Sequence, residues 1–231
     1  MRLPLILLPG LICDTALWTA QRLALLQERH VMVADHSCGR SINQIARMLL
    51  SAAPERFALA GLSMGGYLAL EVSRLAPHRV DRLALLNTNP HADPDDNKAR
   101  RAKTVARAQA GAFAEIVEEL LLALVHPSHV GRPDVADTHR SMAYRSGPAV
   151  FAQQQQAIME RRDQRNLLPA LTMPALVLCG ADDRLTPPLA HQEMAAAMPN
   201  AVLEVIPDCG HLSTLEQPDA VTQALRNWLE K

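Results

Sequence analysis

Aromatic side chains are scarce in this 231-residue chain, where two Trp, two Tyr and three Phe make up 3% of the residues. Any pocket the chain encloses is therefore expected to be walled by Leu, Met and Ala rather than by flat rings, which favours aliphatic guests. Cysteine is sparse too: Cys13, Cys38, Cys179 and Cys209 show no C-x-x-C spacing. That excludes a zinc site of paired cysteines and a small disulfide scaffold, and it fits reduced thiols in the cytoplasm. Neither sign of charge is in excess. A net charge of −1 leaves no long-range field to draw nucleic acid or an anionic membrane. No segment is long and apolar enough to span a bilayer. Residues 1–8 are mostly apolar and could pass for a short export signal, but Pro4, Pro9 and Gly10 interrupt the stretch and no A-x-A cleavage pattern follows.

What is present is hydrophobic residue in quantity, 48% of the chain, enough for one large core and too short a chain for much beyond one domain with an insertion. The continuous apolar run at 3–8 reads as a strand buried on both faces, and 30–34, 56–62 and 80–86 read as further strands. Helical patterns at 15–27, 41–52 and 64–75 lie between them, with Ser41 as a cap. Strand and helix alternating from the start imply a parallel sheet with helices on both faces. From 89 to 170 the alternation stops. Residues 98–125 and 150–162 carry Ala, Leu, Arg, Glu and Gln at helical frequencies, separated by Pro127, Gly131, Pro133 and Gly147-Pro148. An all-helical cap over 89–170 is expected, set into a core of 1–88 and 171–231. The alternation resumes with strands at 175–179 and 201–206 and helices at 188–198 and 218–229.

The most informative stretch is Gly61-Leu62-Ser63-Met64-Gly65, which follows one of the apolar runs and opens a helical pattern. A G-x-S-x-G in that setting is a sharp strand-to-helix turn that exposes a serine hydroxyl at the top of a sheet. The helix leaving it aims free N–H groups and a positive dipole end at the same place, which suits a developing oxyanion. A serine hydroxyl needs a base to activate it and a third group to orient that base. Of the nine histidines, His211 in Pro207-Asp208-Cys209-Gly210-His211 stands just past a strand, at the carboxyl edge where catalytic groups gather in open α/β sheets. The acid should also follow a strand. Asp183 does so within Gly180-Ala181-Asp182-Asp183 and a G-x-x-D-x-x-x-P pattern ending at Pro187; Asp182 is the alternative.

With these motifs in hand, the chain resembles the α/β-hydrolase superfamily over essentially its whole length. The order Ser63, Asp183, His211 is that superfamily's order of nucleophile, acid and base. Within it, Gly61 to Gly66 and Gly210-His211-Leu212 leading to Glu216-Gln217-Pro218 resemble the small cofactor-independent esterases and lactonases with a helical cap. The resemblance implies an oxyanion hole from the backbone N–H groups of Met64 and Leu11. Many relatives carry His-Gly in that first loop, where this chain has Pro9-Gly10. It also implies two-step acyl transfer on a small-molecule ester, with no metal or organic cofactor. Lactonase, thioesterase and C–C bond hydrolase activities use the same machinery, and a non-catalytic ligand-binding member is the rival from another class. The serine argues against alkyl-halide and epoxide chemistry, for which the superfamily uses an aspartate nucleophile.

The remaining candidates have ordinary readings. His126 and His129 have metal-like spacing but no accompanying Cys or carboxylate cluster, and are expected to be solvated loop residues. His30, His36, His78, His91, His139 and His191 are expected at the surface or in turns. Arg100, Arg101, Lys103 and Arg107 form a basic stretch suited to an acidic substrate or an acyl carrier protein, or to the wet face of an amphipathic helix balanced by Glu115, Glu118 and Glu119. Tyr67 and Tyr144 are candidate hydrogen-bond donors to substrate or packing residues. Cys13 and Cys209 are expected as small buried hydrophobes close to the site loops.

Overall fold

A computed structural model describes residues 2–230. Six strands, β1 (Leu5–Leu8), β2 (Val31–Val33), β3 (Phe57–Leu62), β4 (Val80–Leu86), β5 (Ala175–Gly180) and β6 (Ala201–Ile206), form one sheet in the order β2-β1-β3-β4-β5-β6. Every pairing among them is parallel. The serine-bearing strand β3 lies between β1 and β4, and the strands that lead to Asp183 and His211 follow on the same side.

Side-chain alternation along each strand divides the core in two. Leu5 and Leu7 of β1, Ala58 and Ala60 of β3 and Leu176 and Leu178 of β5 pack on the face covered by α1 (Thr19–Leu25) and α9 (Pro218–Glu230), whose Leu25, Leu225 and Trp228 join them. Ile6, Leu8, Phe57, Leu59, Leu83 and Val177 point the other way, toward α2 (Ile42–Ala52), α3 (Met64–Leu75) and α7 (Pro188–Ala197). β1, β3 and β5 are apolar throughout, and β4 is apolar from Leu83 on, because both faces are covered. Ser41 caps α2 as expected, its hydroxyl accepting the Gln44 N–H.

Between β4 and β5 the described chain is helical, with α4 (Asp95–Arg107), α5 (Phe113–Leu124) and α6 (Pro133–Met159). The single helix expected over 98–125 is divided by a π-type turn at 108–112, where Gly111 takes φ 100°. The helix expected at 150–162 is instead the end of α6, which begins at Pro133. Proline suits the first helical position, where its missing N–H costs nothing. Gly147, at φ 72° and ψ 172°, kinks α6 just before Pro148 and lets a second helical segment start there. The helix expected at 15–27 also divides, into a 3-10 turn at Thr15–Trp18 and α1. Ile12, Phe113, Ile116, Val117 and Phe151 form a third cluster that fastens this helical segment to the loop after β1. A last short helix, α8 (Ser213–Glu216), precedes α9.

Candidate active site

Ser63 ends β3 and opens α3 at φ 57° and ψ −115°. A non-glycine residue pays of order 1–3 kcal/mol for such a conformation, and here it turns the hydroxyl out of the sheet. The turn is possible because its flanks lack Cβ atoms: one at Gly61 would lie 2.1 Å from the Gly65 carbonyl oxygen, and one at Gly65 would lie 2.1 Å from that of Leu8. The Ser63 N–H donates to Leu86 O at 2.9 Å, and Thr88 Oγ1 donates to Ser63 O at 2.9 Å, so β4 holds the turn from both sides.

His211 and Asp183 meet the serine there. Ser63 Oγ lies 2.8 Å from His211 Nε2, and His211 Nδ1 lies 2.8 Å from Asp183 Oδ2. Both partners are buried, His211 at 2% exposure and Asp183 at 3%. Asp183 also accepts from the N–H groups of Leu185 and Thr186, from the Thr186 hydroxyl and from the Asn87 amide, all between 2.7 and 2.9 Å. Burial acts to raise the pKa of its carboxyl, but His211, the Thr186 backbone and Asn87 outweigh it and hold the group below the ordinary 3.8. A carboxylate fixed in this way keeps the imidazole N–H on Nδ1 and leaves Nε2 to accept from the serine. Asp182 stands outside the relay, its half-exposed carboxylate 3.6 Å from His126 Nε2.

Leu11 lies in the loop after β1, and Met64 next to Ser63 at the first position of α3. Neither backbone N–H has an acceptor among the described residues. The Gly10 carbonyl is held by the Cys13 N–H at 3.2 Å and by His36 Nε2–H at 2.9 Å, and Ile12 N–H donates to Gln154 Oε1 at 2.8 Å.

The alpha/beta hydrolase fold model matches residues 36–218. The chain belongs to the alpha/beta hydrolase fold family. It is similar to a thermophilic esterase from Thermogutta terrifontis, at 32% identity and a TM-score of 0.90, with all of this chain and 90% of the other covered. It is 26% identical to the pimeloyl-(acyl-carrier protein) methyl ester esterase of Pectobacterium atrosepticum, with 95% of this chain and 91% of that protein covered. The provisionally named carbamate hydrolase RutD of Caulobacter sp. (strain K31) is likewise 26% identical, with 99% and 91% covered. The chain is a hydrolase of this fold.

A cavity of about 510 Å³ opens onto Ser63 and His211 in this hydrolase, a size ordinary for small-molecule sites. Its floor comes from the loop after β1, including Leu11, Ile12 and Cys13, and its roof from α4, α5 and α6. The wall is mainly aliphatic, as the shortage of aromatics implies. Tyr67 instead packs under the Arg161 guanidinium at 4.2 Å, and Tyr144 is half exposed beside Phe113; neither lines this cavity. Burial raises the Cys13 thiol to about 12, so it faces the cavity as an uncharged group.

Asn87 carried no signal in the sequence, and Glu216 stood there only within the Glu216-Gln217-Pro218 signature, without a role. Asn87, fully buried at φ 46°, joins three loops: its amide donates to Asp183 Oδ2 at 2.9 Å and Gly210 O at 3.2 Å, and its oxygen accepts from Ser213 Oγ at 2.6 Å. Glu216, also buried, accepts from the N–H groups of Gly210 and Leu212 at 3.0 Å and of His126 at 2.8 Å, closing the loop that carries His211. His129 is not a solvated loop residue, since its Nδ1 lies 3.2 Å from the same carboxylate. His36, His139 and His191 are buried rather than superficial. Each hydrogen-bonds a backbone group: Gly10 O, Val117 O and the Thr88 N–H respectively. Burial lowers all three pKa values, so they act as neutral packing and hydrogen-bonding rings.

Proposed function

We propose that this hydrolase cleaves small carboxylic esters through an acyl-enzyme, with Ser63 as nucleophile, His211 as general base and acid, and Asp183 as the orienting carboxylate. The unbroken relay from Ser63 Oγ through His211 to Asp183, at 2.8 Å on each side, is the observation that carries the reading. Ser63 Oγ attacks the ester carbonyl while His211 Nε2 takes its proton, and Asp183 stabilises the imidazolium. The Leu11 and Met64 N–H groups, free of internal acceptors, receive the oxyanion. His211 then protonates the departing alcohol, and a water activated by the same imidazole releases the acid.

In this reading residues 89–170 are a cap on a core of 1–88 and 171–231, and the cap helices exclude water from the cavity. The esterase names of two relatives support ester cleavage. Cys13, Cys38, Cys179 and Cys209 are all free thiols, which fits a cytoplasmic setting. Hydrolysis of short p-nitrophenyl esters tests the proposal. The wild type should turn them over and Ser63→Ala should lose roughly 10³-fold or more in kcat; equal rates in the two would refute it.

A further inference from the structure

The cavity holding Ser63 is lined by three arginines and by no carboxylate: Arg100 and Arg101 from α4, and Arg184 from the loop after β5. Their charge is not cancelled nearby. Arg101 Nε lies 2.5 Å from Asp93, but Arg161 shares that same buried carboxylate at 2.6 Å, so two cations face one anion. Gln155 accepts from Arg101 at 2.8 Å and fixes it further. Arg100 donates only to the neutral Asn97 side chain, at 2.9 Å. Arg184 has no ion pair among the described residues.

This is not how the neighbouring segment treats its arginines. Every other arginine in residues 89–170 is within 4 Å of an Asp or Glu. Further along α4, Arg107 pairs with Glu119, so the basic stretch seen in the sequence splits, with Arg100 and Arg101 turned to the cavity. The same two, together with Arg184, also line an adjoining recess of about 380 Å³. The rest of the cavity is mainly aliphatic, including Leu11, Ile12, Leu120 and Leu212, with Thr104, His139 and Gln155 among its other polar side chains.

We infer that the substrate is an aliphatic ester with an anionic terminus, a carboxylate or a phosphate, which Arg100 and Arg184 receive while the aliphatic wall holds the chain between terminus and ester. Arg100 and Arg184 are exposed residues on the cavity lining, and their planar guanidinium groups match both oxyanions. This rests on the ester-hydrolase reading above. Arg101, already braced by Asp93 and Gln155, supplies fixed positive charge behind the two free groups.

Three methyl esters of similar length test it: methyl heptanoate, monomethyl adipate and methyl 5-phosphonooxypentanoate. One or both anionic esters should exceed the neutral one in kcat/KM by roughly tenfold or more, the range of one charge-assisted contact, mainly through KM. Which anion gains more identifies the terminus. Raising the ionic strength should narrow the gap, and the double variant Arg100→Gln/Arg184→Gln should bring the preference close to unity. Equal rates for the three esters, or a preference that survives the double variant, would overturn the inference while leaving ester hydrolysis intact. Should none of the three be hydrolysed, calorimetric titration of the Ser63→Ala protein with monomethyl adipate and with the phosphorylated ester decides separately. Anion binding that vanishes when Arg100→Gln/Arg184→Gln is added supports recognition of the anionic terminus by the two arginines, leaving the ester-hydrolase reading to its own test, and absence of binding overturns the inference.

Discussion

Gln154, in the second half of α6, accepts the backbone N–H of Ile12 at 2.8 Å, 142 residues earlier in the chain. Ile12 is held at φ 50°, a conformation that a β-branched residue enters only under constraint. The neighbouring Leu11 is one of the two proposed oxyanion donors, so this buried amide, with the packing of Ile12 on Phe113 and Phe151, ties that donor to the helical segment.

Replacing Gln154 with Leu should therefore affect both stability and rate. A buried N–H left without an acceptor costs about 1–3 kcal/mol, measurable by urea unfolding. Loss of aim at Leu11 should lower kcat by roughly tenfold or more with a smaller change in KM, since the contact is made mainly in the transition state.

Asp183 is the proposed acid of the relay, and a pair of amide variants distinguishes the two adjacent aspartates. Asp183→Asn should reduce kcat by up to about 10⁴-fold, because an amide no longer selects the required tautomer. Asp182→Asn, altering a half-exposed side chain, should change it by less than about threefold. Steady-state kinetics on one chromogenic ester measures both.

Glu216 contributes through the loop it closes. Glu216→Ala would strand the N–H groups of Gly210, Leu212 and His126. A cost of about 3 kcal/mol or more is expected from such a loss. For a domain of this size that is a fall in Tm of roughly 6–12 °C, readable by calorimetry.

Why some of this was legible in the sequence and some was not follows from how each residue is held. Ser63 comes directly after β3, and Asp183 and His211 lie in the loops that follow β5 and β6; a parallel sheet brings such positions to one edge, so local pattern pointed to all three. Asn87 and Gln154 act on partners far away in the chain, and nothing in their neighbours indicates the partner; Glu216 closes its own loop through Gly210 and Leu212, but its bond to His126, 90 residues earlier, is not legible locally. The buried histidines were misplaced for a similar reason. His139 occupies an inward position of α6 between Val135, Ala136 and Met142, where a polar residue breaks the apolar pattern and conceals the helix. In the same helix, Gly147-Pro148 looked like an end and is a kink.

Acid should weaken the fold in a predictable window. Burial acts to raise the Glu71 pKa, but Arg74, Asn43 and Gln164 outweigh it and hold it at about 2 against an ordinary 4.5. Because the folded value is the lower one, the carboxylate's contribution is complete above the unfolded pKa and is lost as pH falls toward the folded one. Stability should decline by on the order of 3 kcal/mol between those two values from this group alone, with Asp183 acting in the same direction. Urea midpoints across the acid range should show a shallower slope in Glu71→Gln than in the wild type.

The central claim is that the hydroxyl at Ser63 is made nucleophilic by His211. Intact-protein and peptide mass spectrometry after treatment with a fluorophosphonate tests it most directly. A single adduct on Ser63 is expected, absent in Ser63→Ala and slowed by orders of magnitude in His211→Ala. Labelling at another residue, or at the same rate without the imidazole, would contradict it.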